Sequence, residues 1–127
     1  RFGRIERDKD LITEKYDLII MTEVFEHFAL NPVPIMRMIK DSLSCDGRML
    51  LTTPNWGHLP TFATWRDLPD DNETDETRYG ELLECGHVYQ YDYNEMAEII
   101  KEAGFEIEYY ELSESNNHNL FLKTNNK

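Results

Sequence analysis

The densest run of chemically able side chains is Glu23-Val24-Phe25-Glu26-His27. In a helical turn, Glu23, Glu26 and His27 stand at i, i+3 and i+4 and share one face. Two carboxylates and an imidazole there supply the oxygen and nitrogen donors that a divalent cation takes. The same imidazole titrates near neutral pH, which suits a general base. A plainer reading is a helix start whose acids complement the dipole, with His27 packed at its edge. Residue types alone leave all three open. Thr53-Pro54-Asn55 and the region of His87 are the other polar clusters that an α/β sheet would place beyond its strand ends.

These groups need a scaffold, and the sequence supplies one. Tyr16 to Thr22 (Y-D-L-I-I-M-T) and Arg48 to Thr53 (R-M-L-L-T-T) are short apolar runs of the kind buried on both faces of a parallel sheet. Between them, Asn31 is placed to cap a helix and Pro32 suits its first turn. Ile35, Met38, Ile39 and Leu43 then recur at helical spacing. Asp46-Gly47 predicts the turn into the second strand. Strand, helix, strand with short links is a βαβ unit. Farther on, Asp92 and Glu95 predict a capping box, Met96, Ile99, Ile100 and Ala103 a buried stripe, and Gly104 a helix stop. Phe105, Ile107 and Tyr109 alternate with glutamates, predicting a strand with one wet face. Leu120 to Lys123 completes a hairpin with it.

Residues 54–90 differ, because Pro54, Gly57, Pro60, Pro69, Gly80 and Gly86 interrupt any long period. Their apolar content, including Trp56, Phe62, Trp65, Leu68, Tyr79, Leu82 and Leu83, predicts a partly helical lid or substrate loop inserted in the domain. Trp56, Trp65, Tyr89 and Tyr91 have the planar rings to stack on an acceptor or a sugar, and packing the lid accounts for them equally. His58 at the lid start and His118 in an Asn-rich turn read as solvated surface histidines. Neither Cys45 nor Cys85 has the histidine pattern of a nucleophile.

The chain has 127 residues, one domain's worth, with 13 basic and 25 acidic side chains and a formal charge of −12. That surface repels nucleic-acid backbones and anionic lipid. No apolar run is long enough to cross a bilayer. Two cysteines without a C-x-x-C make no disulfide framework, so a reducing, cytoplasmic setting is expected. The sequence opens on Arg1, and a piece of a longer protein is expected.

The string Y-D-L-I-I-M-T-E-V-F-E-H-F, the Asn31-Pro32 step, D-G-R-M-L-L-T-T-P-N and G-H-V-Y-Q-Y-D-Y-N-E-M-A-E-I-I-K-E-A-G-F-E-I, in that order, resemble class I S-adenosylmethionine-dependent methyltransferases. The resemblance covers nearly the whole chain. It implies an α/β, Rossmann-like sheet of which residues 1–127 are the C-terminal half, with Tyr16 to Thr22 as fourth strand, Arg48 to Thr53 as fifth and the final hairpin as sixth and seventh, the last antiparallel. The family's glycine-rich cofactor loop has no counterpart here, and no G-x-G-x-x-G pattern occurs. These residues alone are therefore expected to hold S-adenosylmethionine poorly and to be inactive by themselves. The first strand is expected to offer an open edge to a missing N-terminal half, a partner chain or a second copy.

The resemblance also assigns roles. It implies Ile5 and Glu6 near the adenine and Thr22 and Glu23 along the methionine side, although a solvated surface acid describes Glu6 equally well. Pro54, Asn55, Trp56 and His87 line the acceptor, with Asn55 equally a turn cap. A narrower similarity, through E-x-x-E-H and a downstream histidine, is to metal-assisted O-methyltransferases of the ubiquinone pathway and of small-RNA 2′-hydroxyl ends. It implies Mg²⁺ or another divalent metal on Glu23, Glu26, His27 and His87. Without a metal, His27 serves as catalytic base, with Glu23 orienting it. The implied reaction is O-methylation of a small-molecule or sugar hydroxyl; the −12 charge counts against RNA as acceptor. A non-catalytic methyltransferase-like interaction module is the alternative.

Overall fold

The computed structural model describes residues 4–56, 64–84 and 86–125. His58, Phe62 and Cys85, singled out above, lie outside them.

The first apolar run forms strand β1 (Tyr16–Thr22) as expected. Helix α1 (Pro32–Asp41) starts where Asn31 Oδ1 accepts from the Val33 N–H at 3.0 Å, with proline in its first turn. It buries Val33, Ile35, Met36 and Ile39, while Leu43 belongs to the next element. Strand β2 runs Leu43–Pro54, five residues earlier than the apolar run announced. Asp46-Gly47 is consequently no turn. It lies in an irregularity of the parallel β1–β2 pairing, where Tyr16 pairs with Leu43 but Leu18 with Arg48. The extra β2 residues bulge there. Only glycine fits at 47, since a Cβ would stand 3.0 Å from the Ser44 carbonyl oxygen and 3.1 Å from that of Tyr16.

Residues 64–84 are docked against the body of the protein. They hold short 3₁₀ turns at Trp65–Asp67 and Asp71–Glu73, then helix α2 (Glu76–Leu83). Trp65, Leu68, Tyr79 and Leu82 are buried. Helix α3 (Tyr93–Glu102) has the predicted capping box, with Asp92 and Glu95 each accepting from the other's backbone N–H. Gly104, with φ of +90°, takes the left-handed position that ends it.

Strands β3 (Phe105–Leu112) and β4 (Asn117–Thr124) form the expected antiparallel hairpin. The alternation in β3 breaks at a bulge between Ile107 and Tyr109, which turns Tyr109 out to solvent, 60 % exposed. Sheet order is β1-β2-β4-β3, with β4 antiparallel to β2. The core face carries Met21, Met49, Leu51, Leu120 and Leu122, packed with Met36, Ile39, Met96, Ile99 and Ile100 of α1 and α3. On the other face one cross-strand row runs Ile20, Leu50, Phe121, Tyr109, none of them fully buried. Here β1 is an edge strand, with Leu18 and Ile20 more than half exposed. Among the described residues no helix is long and apolar enough to cross a membrane.

Candidate active site

Parallel pairing puts Thr22 opposite Thr52, so β1 and β2 end side by side. The turn after β1, Thr53 of β2 and His87 beyond α2 contribute to one cluster. The chain leaves β1 through Glu23, whose φ of +55° is left-handed, a strained backbone for a residue with a side chain. It then makes a single 3₁₀ turn, Phe25–His27, in place of the predicted helical face. Adjacent residues of this turn diverge: Phe25 and Glu26 are buried and His27 is partly exposed.

Glu26 is 1 % exposed, yet its carboxylate is well supplied with partners. Thr53 Oγ1 donates to Oε1 at 3.0 Å. His27 Nε2 lies 3.5 Å and His87 Nε2 4.0 Å from Oε2. The two imidazoles meet edge to face, 4.7 Å between centroids. His27 Nδ1 is 2.9 Å from the Gly86 carbonyl oxygen, which only accepts, so Nδ1 carries the proton and a neutral ring presents the lone pair of Nε2. That lone pair faces a carboxylate oxygen. A proton or a metal ion placed between these two acceptors would satisfy both. One ligand atom from each of Glu26, His27 and His87 lies within 4.8 Å of the others, and bonds of about 2.1 Å to one metal would draw them closer together. The donor set of one oxygen and two nitrogens fits Mn²⁺, Co²⁺ or Zn²⁺.

Glu23 lies beside that trio, close enough for Glu26 and His87 to act on its carboxyl. Its left-handed backbone directs the carboxylate toward β4, where Asn117 Nδ2 donates to Oε1 at 2.8 Å. Of the four expected ligands, Glu26, His27 and His87 converge with Glu23 at their edge, and His27 is held by Gly86 and Glu26. Partial burial, and then the charge of Glu26, push the Glu23 carboxyl above its ordinary range.

An apolar cavity of about 570 Å³ opens beside the cluster, lined by Ile5, Glu6, Met21, Val24, His27 and Phe28 among others. It joins the sequence-predicted Ile5 and Glu6 to His27. Thr22 and Glu23 are exposed at the end of β1, outside the cavity lining. Glu6 is no solvated acid. Its carboxylate is buried, with Oε2 accepting from the Ala29 N–H at 3.0 Å and the Leu30 N–H at 3.2 Å, and Oε1 from the Tyr79 hydroxyl. Desolvation raises its pKa against those hydrogen bonds.

Pro54 ends β2, and Asn55 pairs with Tyr91 while its Nδ2 donates to Asn116 Oδ1 at 3.1 Å. Trp56 is 52 % exposed, whereas Trp65, Tyr89 and Tyr91 are buried, Tyr91 edge-on to Phe25 at 4.9 Å. Packing accounts for those three rings, and Trp56 alone of the four is open to a ligand. His118 corrects its expected solvation: 1 % exposed, its Nε2 donates to the Tyr91 carbonyl at 2.8 Å and Nδ1 accepts from the Tyr110 hydroxyl at 2.6 Å. Sequence position in an Asn-rich turn hid this, since β4 begins at Asn117 and turns residue 118 to the core. Alternation with the buried Leu120 and Leu122 was the available signal.

A family model described as a methyltransferase domain matches residues 5–110. Solved structures of similar fold include the mitomycin 7-O-methyltransferase MmcR (16 % identity, TM-score 0.62, 96 % of this chain and 32 % of that one). An O-methyltransferase family 2 protein from Planctomyces limnophilus, in complex with apigenin, has 17 % identity, TM-score 0.61 and coverage of 96 % and 33 %. PigF, solved with SAH, has 16 % identity, TM-score 0.59 and coverage of 96 % and 38 %. The chain thus spans about a third of the length of the solved proteins it matches. No curated protein sequence matches it significantly.

Proposed function

Because the chain belongs to the methyltransferase-domain family, we propose that it forms the acceptor-side half of an S-adenosylmethionine-dependent O-methyltransferase acting on a small-molecule or sugar hydroxyl. The observation that carries this reading is the convergence of Glu26, His27 and His87 where β1 and β2 end, beside an apolar cavity. Ligands of open α/β sheets bind at that place.

In the proposed reaction the acceptor oxygen forms a bond to the methyl carbon while the carbon–sulfur bond breaks and its electron pair stays on sulfur. S-adenosylmethionine, when bound, supplies that activated methyl group. His27 takes the hydroxyl proton at Nε2, the nitrogen left basic by the Nδ1 contact to Gly86. Glu26 stabilises the resulting imidazolium from 3.5 Å. Ile5, Val24 and Phe28 keep water from the reacting oxygen by lining an apolar wall. Glu26, His27 and His87 would hold a divalent ion in the metal-assisted form of this chemistry, and such an ion lowers the pKa of a hydroxyl it binds.

The partner is part of the same proposal. Right-handed crossovers that extend a parallel sheet beyond β1 carry their helices to the face opposite α1 and α3. Among the described residues that face is the bare one, with its row of Ile20, Leu50, Phe121 and Tyr109. The occupant we assign is an α/β half that adds a parallel strand to β1, lays an amphipathic helix across this row and brings the glycine-rich cofactor loop.

The test is transfer of label from methyl-labelled S-adenosylmethionine to a panel of phenols, flavonoids and sugars by the native protein that carries this chain. Label should reach a hydroxyl acceptor and cease in His27→Ala. Transfer by His27→Ala at the native rate overturns the assignment of the site.

A further inference from the structure

The two histidines of the cluster reach it by separate routes, and one carboxylate holds both routes. His27 sits on the loop from β1, two residues before Ala29 and three before Leu30, whose N–H groups donate to Glu6 Oε2. His87 follows α2, and the Tyr79 hydroxyl in the middle of α2 donates to Glu6 Oε1. Arg7 adds a second clamp on the same helix. Its guanidinium lies 4.5 Å over the Tyr79 ring, pairs with Asp71, and donates to the Thr74 and Asp75 carbonyls at 2.7 and 3.1 Å. Asp75 is the residue whose side chain caps α2.

The far end of α2 delivers what the cluster needs. The Gly86 N–H donates to the Leu83 carbonyl at 3.2 Å, and the Gly86 carbonyl accepts from His27 Nδ1. The N–H groups of Val88 and Tyr89 donate to the Glu26 carbonyl at 2.8 and 3.3 Å. A helix of eight residues is a rigid rod about 12 Å long, so fixing its start and its middle fixes the place of its exit.

We infer that Glu6 and Arg7 are positioning residues for the Glu26–His27–His87 cluster, acting through α2 and the 28–30 loop. The inference rests on the cation reading of that cluster given above. Its distinctive content is distance: neither residue supplies a ligand atom to the trio, yet each sets the spacing of the atoms that do. The Arg66 pairs with Glu98 and Glu102 tie the same segment to α3 from its other side and are exposed, so they provide a control.

The experiment measures Mn²⁺ binding by titration calorimetry, and amide exchange at Gly86 and Val88, in the full chain and in Tyr79→Phe, Glu6→Gln and Arg66→Met. Tyr79→Phe keeps the buried ring and removes one hydrogen bond. It should weaken Mn²⁺ about tenfold, the range for loss of an outer support of a metal ligand, and speed exchange at both amides. Arg66→Met should change neither. Native affinity and native exchange at 86 and 88 in Tyr79→Phe overturn the inference, and this variant decides if Glu6→Gln fails to fold. Should the unmutated chain take no Mn²⁺, the cation reading fails, and exchange at Gly86 and Val88 alone decides the positioning role.

Discussion

His27 Nε2 stands 3.5 Å from Glu26 Oε2, a lone pair facing a buried carboxylate oxygen once Nδ1 is committed to the Gly86 carbonyl. A positive charge between them would satisfy both, and the pair stands beside the ends of the two parallel strands. Glu26→Gln should therefore remove both the cation site and the support of an imidazolium. We expect methyl transfer to fall about 10²–10⁴-fold in His27→Ala, the usual worth of a positioned general base. Steady-state kinetics in the native protein measure it.

Metal removal separates the two kinds of cation. If a divalent ion bridges the trio, dialysis against EDTA abolishes transfer and Mn²⁺ restores it. If a proton does, EDTA leaves the rate as it was. Glu23→Ala should weaken Mn²⁺ binding in calorimetry by less than His87→Ala does, because Asn117 already holds Oε1 of the Glu23 carboxylate at the edge of the cluster.

Gly47→Ala should destabilise the fold by roughly 1–3 kcal/mol, as overpacking against rigid neighbours does. The new Cβ meets backbone oxygens of Ser44 and Tyr16 at 3.0 and 3.1 Å, and backbone cannot yield as a side chain tip can. Urea unfolding of the two proteins provides the comparison.

The buried Glu6 makes stability depend on pH. Its folded pKa is raised, so between the unfolded value near 4.5 and the folded one the native state holds more protons than the unfolded state. Unfolding free energy then falls as pH rises through that window. The difference between the native protein and Glu6→Gln should move against the native protein over the same window. His118 has the opposite sign: burial lowers its pKa, so its contribution is intact above about 6.5 and declines as pH falls toward the folded value. Chemical denaturation across pH in His118→Gln would show that slope removed.

Ile20→Lys should alter the stability of this chain by less than about 0.5 kcal/mol, since the side chain is 60 % exposed. The same change should abolish assembly with the half proposed to cover that face. Thermal melts and sedimentation distinguish the two effects.

Local rules carried much of the architecture. Asn31-Pro32, the Asp92–Glu95 box and Gly104 set helix ends through contacts within a few residues, and the helices begin and end there. The rules failed where pairing between strands overrode them. Asp46-Gly47 has turn chemistry, yet the β1 ladder draws it into a bulged strand. Tyr109 continues an alternation in sequence, and a one-residue bulge moves it to the bare face.

What the sequence determined by itself was the set of reactive groups near residues 23–27 and the βαβ frame beneath them, because capping and apolar periodicity are short-range properties of the chain. Which of those groups meet was decided only in three dimensions. His87 joins Glu26 and His27 across some sixty residues, Asn117 holds Glu23 at their edge, and Glu6 turns inward to Tyr79. Each is a long-range contact whose partner depends on how the sheet and α2 pack, and no spacing along the chain encodes that.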